Sequence, residues 1–256
     1  MRRHTAYLLI KKSFIYLILI FLSLLAIIPI YLVMVNVTRS STEINAGLSL
    51  IPSNHFSDNW RSLNGIDMKI SRGFLNSLLV AAPSALCAVY FSAMTAYGLH
   101  MYRFSGRLVL WTVILFFMML PATLAFIGFY QSMVHFGLRN SYIPLIIPSI
   151  AAPVSVFFLR QYLLSIPARE LAEVSRIDGA SEFRIFNEIV LPIMGPALST
   201  QGFFAFLSSW NNFLAPVVLL SDVHLYTLPM MVMQLQASIH NPEYGSIYLG
   251  VAVSTL

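Results

Sequence analysis

The chain has 256 residues, 58% of them hydrophobic and only 10% charged, with a mean hydropathy of +0.77. Soluble domains carry about 25% charged residues, so a water-soluble globule of buried helices is excluded for want of polar surface. The formal net charge of +5 invites a nucleic-acid reading, but Lys and Arg gathering at the cytoplasmic flanks of membrane helices explain it better.

The charges fall in clumps. None lies between Lys12 and Arg39, Arg72 and Arg103, Arg107 and Arg139, Arg139 and Arg160, or Glu188 and Asp222. Each gap reaches the ~20 residues that a helix needs to cross a bilayer. Backbone in lipid must satisfy its own hydrogen bonds, so runs this apolar span as helices. The spacing predicts an all-α, polytopic membrane bundle of about six transmembrane helices: 13–36, 74–98, 108–131, 142–163, 195–219 and a partial sixth, 245–256. The whole of 1–256 reads as one transmembrane domain.

In chain order, Arg2, Arg3, Lys11 and Lys12 precede the apolar run Ser13–Asn36. A secretory signal has an apolar core of only about 7–15 residues and a small-residue cleavage site, so this longer run reads as an uncleaved first span. The loop 37–73 is polar and turn-rich, with Trp60 as an interfacial anchor. Cys87, the lone cysteine, sits in the second apolar run as a small buried hydrophobe and excludes an internal disulfide. Pro121, and then Pro144, Pro148 and Pro153, bend the third and fourth spans, either to gate a path or to shape an ordinary bundle. A cytoplasmic N-terminus puts Arg2, Arg3, Lys11, Lys12, Arg103, Arg107, Arg160, Arg169, Arg176 and Arg184 inside. It leaves only Arg39, Arg61, Lys69, Arg72 and Arg139 outside, which favours that orientation.

The spans carry no central Asp or Glu, the usual binding group of an ion-coupled carrier. Nor does the chain contain a G-x-x-x-x-G-K-[ST] phosphate cradle. Energy for active transport must then enter from a partner. His100, His135, His224 and His240 stand near span ends or in loops without metal-ligand spacing, and no convergent catalytic set is seen. Phe203, Phe204, Phe206 and Trp210 on the fifth span suit bundle packing or lipid contact better than a sugar ring, so no substrate residue is assigned.

The informative stretch is the cytoplasmic loop 166–192 between spans four and five. Pro167 suits a first helical turn, and Leu171, Val174 and Ile177 recur on one face with Glu170, Glu173 and Arg176 beside them. Gly179 permits a sharp bend. A second helix with Phe183, Phe186, Ile189 and Val190 follows, ended by Pro192 where the next span begins. Such a hairpin lies on the membrane, docks on its own bundle or inserts into a partner. Its mixed charge disfavours the first, and the small residues Gly179, Ala180 and Ser181 favour the last.

The pattern Glu173-Val-Ser-x3-Gly179-x9-Ile189-x-Leu191-Pro192 resembles the EAA loop of binding-protein-dependent ABC importer permeases. Arg176-Ile-Asp-Gly-Ala-Ser181 and Ser209-Trp-Asn-Asn-Phe-Leu-Ala-Pro216 resemble the carbohydrate branch, the second permease subunit of the maltose and multiple-sugar type. Asn76-Ser77, Ala96-Tyr97-Gly98 and Tyr226-Thr-Leu-Pro229 fit the same layout. The resemblance implies a non-enzymatic sugar permease of a bacterial or archaeal cytoplasmic membrane. Its partners would be a second permease subunit, two ATP-binding subunits that hold the ATP, and an extracytoplasmic solute-binding protein. It holds no cofactor and binds no nucleic acid, and the other permease supplies most solute contacts. Glu170, Glu173, Val174, Ser175, Ile177, Asp178, Gly179 and Ala180 would form the ATPase-coupling loop.

Val174 and Ser175 stand where the family has Ala-Ala, which reshapes the docking surface. The family also completes its sixth span, so a continuation past Leu256 is expected. Within the family, a polyol or glycerol phosphate is the alternative solute. A non-energised channel or secondary carrier would leave the hairpin without a task, and a membrane enzyme would lack catalytic groups.

Overall fold

The computed structural model describes residues 2–65, 70–121, 125–237 and 243–255, with side chains from Lys12 onward except at 64 and 65. Lys69, His240 and Leu256 lie outside the described residues, as do the side chains of Arg2, Arg3 and Lys11. Among the described residues there are helices and turns but no strands. The α-helices are α1 (Arg2–Val37), α2 (Ser41–Asn45), α3 (Phe56–Gly65), α4 (Ile70–Met101), α5 (Arg107–Met119), α6 (Phe126–His135), α7 (Ile143–Ile146) and α8 (Pro153–Ser165). They continue as α9 (Ala168–Ile177), α10 (Glu182–Arg184), α11 (Leu191–Ile193), α12 (Gly195–Trp210), α13 (Leu214–Leu219), α14 (Leu228–Gln236) and α15 (Tyr244–Thr255).

Among the described residues, three stretches are long and apolar enough to cross a membrane: Lys12–Val37, Ile70–Met101 and Ile143–Ser165. A fourth arises if Glu182–Ile193 and Gly195–Trp210, which meet at 82°, are taken as one bent span. The third predicted span is interrupted. Leu120 is extended (ψ 134°) ahead of Pro121, because the proline ring disfavours helical backbone in the residue before it, and α5 therefore stops at Met119. The fourth is also segmented, for the same reason. After α7 and a 3-10 turn (Ile147–Ile150), Ala151 and Ala152 leave helical geometry ahead of Pro153, which then starts α8. The fifth, expected over 195–219, is helical to Trp210 and resumes at Leu214.

The chain divides into two compact units, residues 1–71 with 231–256, and residues 72–230. In the first, α15 packs against α1 and α3. Of the loop expected over 37–73 to be polar and turn-rich, residues 37–65 are folded. Ser40 and Glu43 close a capping box on α2, and Asn59 Nδ2 donates to the carbonyls of Val37 (2.8 Å) and Arg39 (2.9 Å). Arg39, read from sequence as an outside charge, is buried, donating to Asn36 Oδ1 (3.0 Å), Gly47 O (3.0 Å) and Glu43 O. Gly245 of α15 lies so close to the Asn59 amide that any Cβ there would overlap it.

In the second unit, one apolar core joins Ala93, Ala96 and Tyr97 of α4, Leu159 and Leu163 of α8, Ala168 and Ala172 of α9, and Met194 and Ala197 at the start of α12. Ile185, Phe186 and Val190 complete it from the stretch between α10 and α11, a π-helix over Ile185–Val190. Here the structure corrects the expected stop at Pro192. Helical backbone runs on through the proline, and the sharp bend comes at Met194–Gly195. The wider π turn just before Pro192 loosens the hydrogen-bond ladder where the proline cannot donate, so the ring is accommodated without a break.

Candidate coupling segment and polar cavity

The segment Ala168–Ile193 is built as the sequence suggests, two helical arms about a glycine, but its burial is asymmetric. The first arm, α9, packs on the bundle through Ala168 and Ala172, both fully buried. Their small side chains let its backbone lie close to α8 and the π turn. The apolar stripe singled out from spacing points the other way. Leu171, Val174 and Ile177 are 38%, 59% and 86% exposed, and Phe183 on the second arm is 70% exposed. Glu170, Glu173, Asp178 and Gly179 share that open side, while Ser175 and Ala180 are half-buried.

Gly179 makes the turn. Its φ of +82° is a left-handed conformation that costs glycine little. The helix end is a Schellman motif: Gly179 N–H donates to Arg176 O and Ala180 N–H to Ser175 O, both at 3.0 Å. Ser181 then caps the second arm, accepting from Arg184 N–H at 3.4 Å. The Val174-Ser175 departure is absorbed simply, since Val174 faces outward and the Ser175 hydroxyl donates to Leu171 O at 2.7 Å. Neither side chain disturbs the packing of α9 on its own bundle.

Across the turn, Arg176 Nε donates to Glu182 Oε1 at 2.5 Å. The other oxygen of Glu182 accepts from Tyr97 (3.0 Å), from Arg176 (3.2 Å) and from Tyr102. One carboxylate therefore clamps both arms to the end of α4. The Arg176 guanidinium and, after it, the two phenols hold the Glu182 carboxyl at about 2, below the ordinary carboxylate range, against the opposing effect of burial. Arg169 adds a second tie, donating to His100 O at 2.6 Å at the C-terminus of α4. In the sequence, Arg176 and Glu182 are two members of a mixed set of charges. A six-residue separation across a bend carries no helical periodicity, so no pattern announced the pair.

A cavity of about 440 Å³ opens among α4, the 143–152 stretch, α8 and α12. Its polar walls are hydroxyls and amides (Ser84, Ser149, Ser155, Ser208, Ser209, Gln201 and Asn212) with Phe204 beside them, and among the described residues no charged side chain lines it. Gln201 is buried at 8% exposure. Of the aromatics considered from sequence, Phe204 reaches this cavity. Phe206 stacks on Trp210 at 5.5 Å and Phe203 is exposed.

A family model described as "Binding-protein-dependent transport system inner membrane component" matches residues 88–256. The chain is 36% identical over 213 residues to an arabinooligosaccharides transport system permease protein, AraQ, of Halalkalibacterium halodurans, covering 82% of this chain and 76% of that one. It is 30% identical over 220 residues to an sn-glycerol-3-phosphate transport system permease protein, UgpE, of Brucella abortus, covering 83% and 78%. Among solved structures, it resembles a bacterial ABC transporter involved in the import of the acidic polysaccharide alginate, with a TM-score of 0.80 at 22% identity, covering 96% and 91%.

Proposed function

The chain belongs to the family of inner-membrane components of binding-protein-dependent transport systems, and from that premise we propose that it is the carbohydrate-translocating subunit of an ATP-driven importer. It works as one transmembrane domain of six membrane-crossing segments with a cytoplasmic N-terminus. A second permease subunit pairs with it, two ATP-binding subunits dock beneath, and a solute-binding protein delivers from outside. The observation that carries this reading is the two-faced coupling segment. One face is locked into the bundle core through Ala168, Ala172, Ile185 and Phe186, and the other leaves Leu171, Val174 and Ile177 without cover. An apolar helix face of this kind is what a groove on a partner receives. The Glu182 clamp makes the segment rigid, so closure of the ATPases displaces α4 and α12 with it and biases the bundle between its two accesses.

The polar cavity supports a neutral polyhydroxylated solute over a glycerol phosphate. Hydroxyl and amide groups with an aromatic ring suit sugar hydroxyls and ring faces, whereas a phosphate calls for cations that this cavity does not offer.

The test is co-expression with the partner permease, ATPase and binding protein, then pull-down on this subunit and an ATPase assay. Recovery of the ATPase, its loss in Ile177→Asp at unchanged melting temperature, and hydrolysis stimulated by sugar-loaded binding protein are expected. Unchanged ATPase recovery in Ile177→Asp and Val174→Asp would remove the docking role. Stimulation by glycerol phosphate alone would remove the sugar.

A further inference from the structure

Arg103, Arg107 and Arg160 surround one cavity of about 450 Å³, separate from the polar cavity and the coupling face. Leu99, Phe104, Gly106, Leu108 and Trp111 form its other walls, and among the described residues no acidic side chain contributes. Among the described residues, none of the three arginines pairs with a carboxylate. Arg160 is fixed in place, with its Cζ 4.1 Å from the centre of the Trp111 ring, and Trp111 stacks in turn on Phe157 at 5.8 Å and 12°. Its Nε is buried with no hydrogen-bond partner among the described residues. Three cations around one cavity repel each other, and an anion seated among them relieves that repulsion.

The surroundings say what kind of anion. The cavity sits at the end of α4 where Arg169 of the coupling segment bonds His100 O, and so on the side expected to face the cytoplasm. From it, α5 runs away with no buried residue. Leu108, Val109, Phe116 and Phe117 along it are 76%, 67%, 59% and 57% exposed. A cationic pocket opening onto an apolar helix about 20 Å long matches a ligand with an anionic head and a long apolar tail. Free phosphate shares the head-group chemistry but leaves the apolar flank unused.

We propose that this cavity binds the phosphate of an anionic phospholipid of the cytoplasmic leaflet, with its acyl chains lying along α5. The proposal uses the membrane orientation given above but not the identity of the solute. A bound phosphate bridges the start of α5 to α8, the helix that leads directly into the coupling segment at Ala168. Lipid occupancy therefore steadies the base from which that segment moves.

The experiment reconstitutes the assembled transporter in phosphatidylcholine vesicles. The vesicles carry a trace of photoactivatable phosphatidylglycerol or of the matching phosphatidylcholine probe, and labelled peptides are mapped. The phosphatidylglycerol probe should label α5 and α8 at least several-fold more than the phosphatidylcholine probe. Each arginine removed should cost about fivefold, so the Arg103→Gln, Arg107→Gln double variant should lose labelling about 25-fold, and Arg107→Lys should retain most of it. Co-purification of the ATPase with each variant verifies assembly. Equal labelling by the two probes overturns the proposal, as does labelling unaffected by the double variant. Abolition by millimolar inorganic phosphate assigns the pocket to a free anion instead. Labelling of the isolated subunit but not of the assembled transporter assigns it to a partner's acidic side chain. Solute-stimulated hydrolysis in the same vesicles reports separately on the transport function.

Discussion

Replacement of Gly179 isolates the contribution of backbone geometry to the proposed coupling. The residue sits at φ +82°, and an added Cβ would meet nothing within 4 Å, so steric collision within the chain plays no part. A non-glycine L-residue in the left-handed region costs about 1–2 kcal/mol, least for Asn and Asp and most for β-branched residues. That lowers the population of the bent segment about 5- to 30-fold. The Schellman bonds and the Arg176–Glu182 pair oppose the loss without removing it. ATPase co-purification and solute-stimulated hydrolysis should therefore rank Gly179→Asn above Gly179→Ala, and Ala above Gly179→Val. Gly179→Asp is as acceptable to the backbone as Asn, so uncoupling by Asp but not by Asn would locate an added charge at the docking face. Equal failure of Asn, Ala and Val at unchanged melting temperature would refute the turn argument. It would mean that glycine is needed because a partner surface approaches there.

The Glu182 clamp predicts a pH dependence. Its carboxyl titrates at about 2 in the fold against 4.5 ordinarily, so the clamp's stabilisation is full above about pH 4.5 and is lost as pH falls toward 2. Because the side chain is 45% exposed, solvent screening limits the effect to about 1 kcal/mol. Melting of the purified complex should fall with acidification in that window, and Glu182→Gln should flatten the dependence; coincident profiles would contradict the clamp. Arg39→Ala strands Asn36 Oδ1 and the carbonyls of Glu43 and Gly47, at a cost of about 3 kcal/mol for hydrogen bonds to a buried charged group. Limited proteolysis within 37–65 should accelerate accordingly, and an unchanged rate would show that the cap does not depend on it. Lys at position 39 should restore less than half, because an ammonium cannot reproduce the planar guanidinium fork.

The amino-acid sequence alone determined the membrane class, through charge-free gaps that only a bilayer explains. It also determined the two-armed segment, through Pro167, the Leu171–Val174–Ile177 spacing and Gly179, because these are local properties of the backbone and of helical period. The family pattern was legible for the same reason, as it is written in contiguous residues. Tertiary structure decided which face of α9 is covered. Two alanines outcompete a stripe of larger apolar residues for the bundle, since close helix packing rewards small side chains and leaves the stripe free. It also decided where the long apolar runs break, because non-helical residues before Pro121 and Pro153 end helices that composition would continue. The Glu182 clamp and the arginine cavity each join residues distant in sequence. Attraction or repulsion between such groups leaves no periodic trace in the chain, and only the fold brings them within reach.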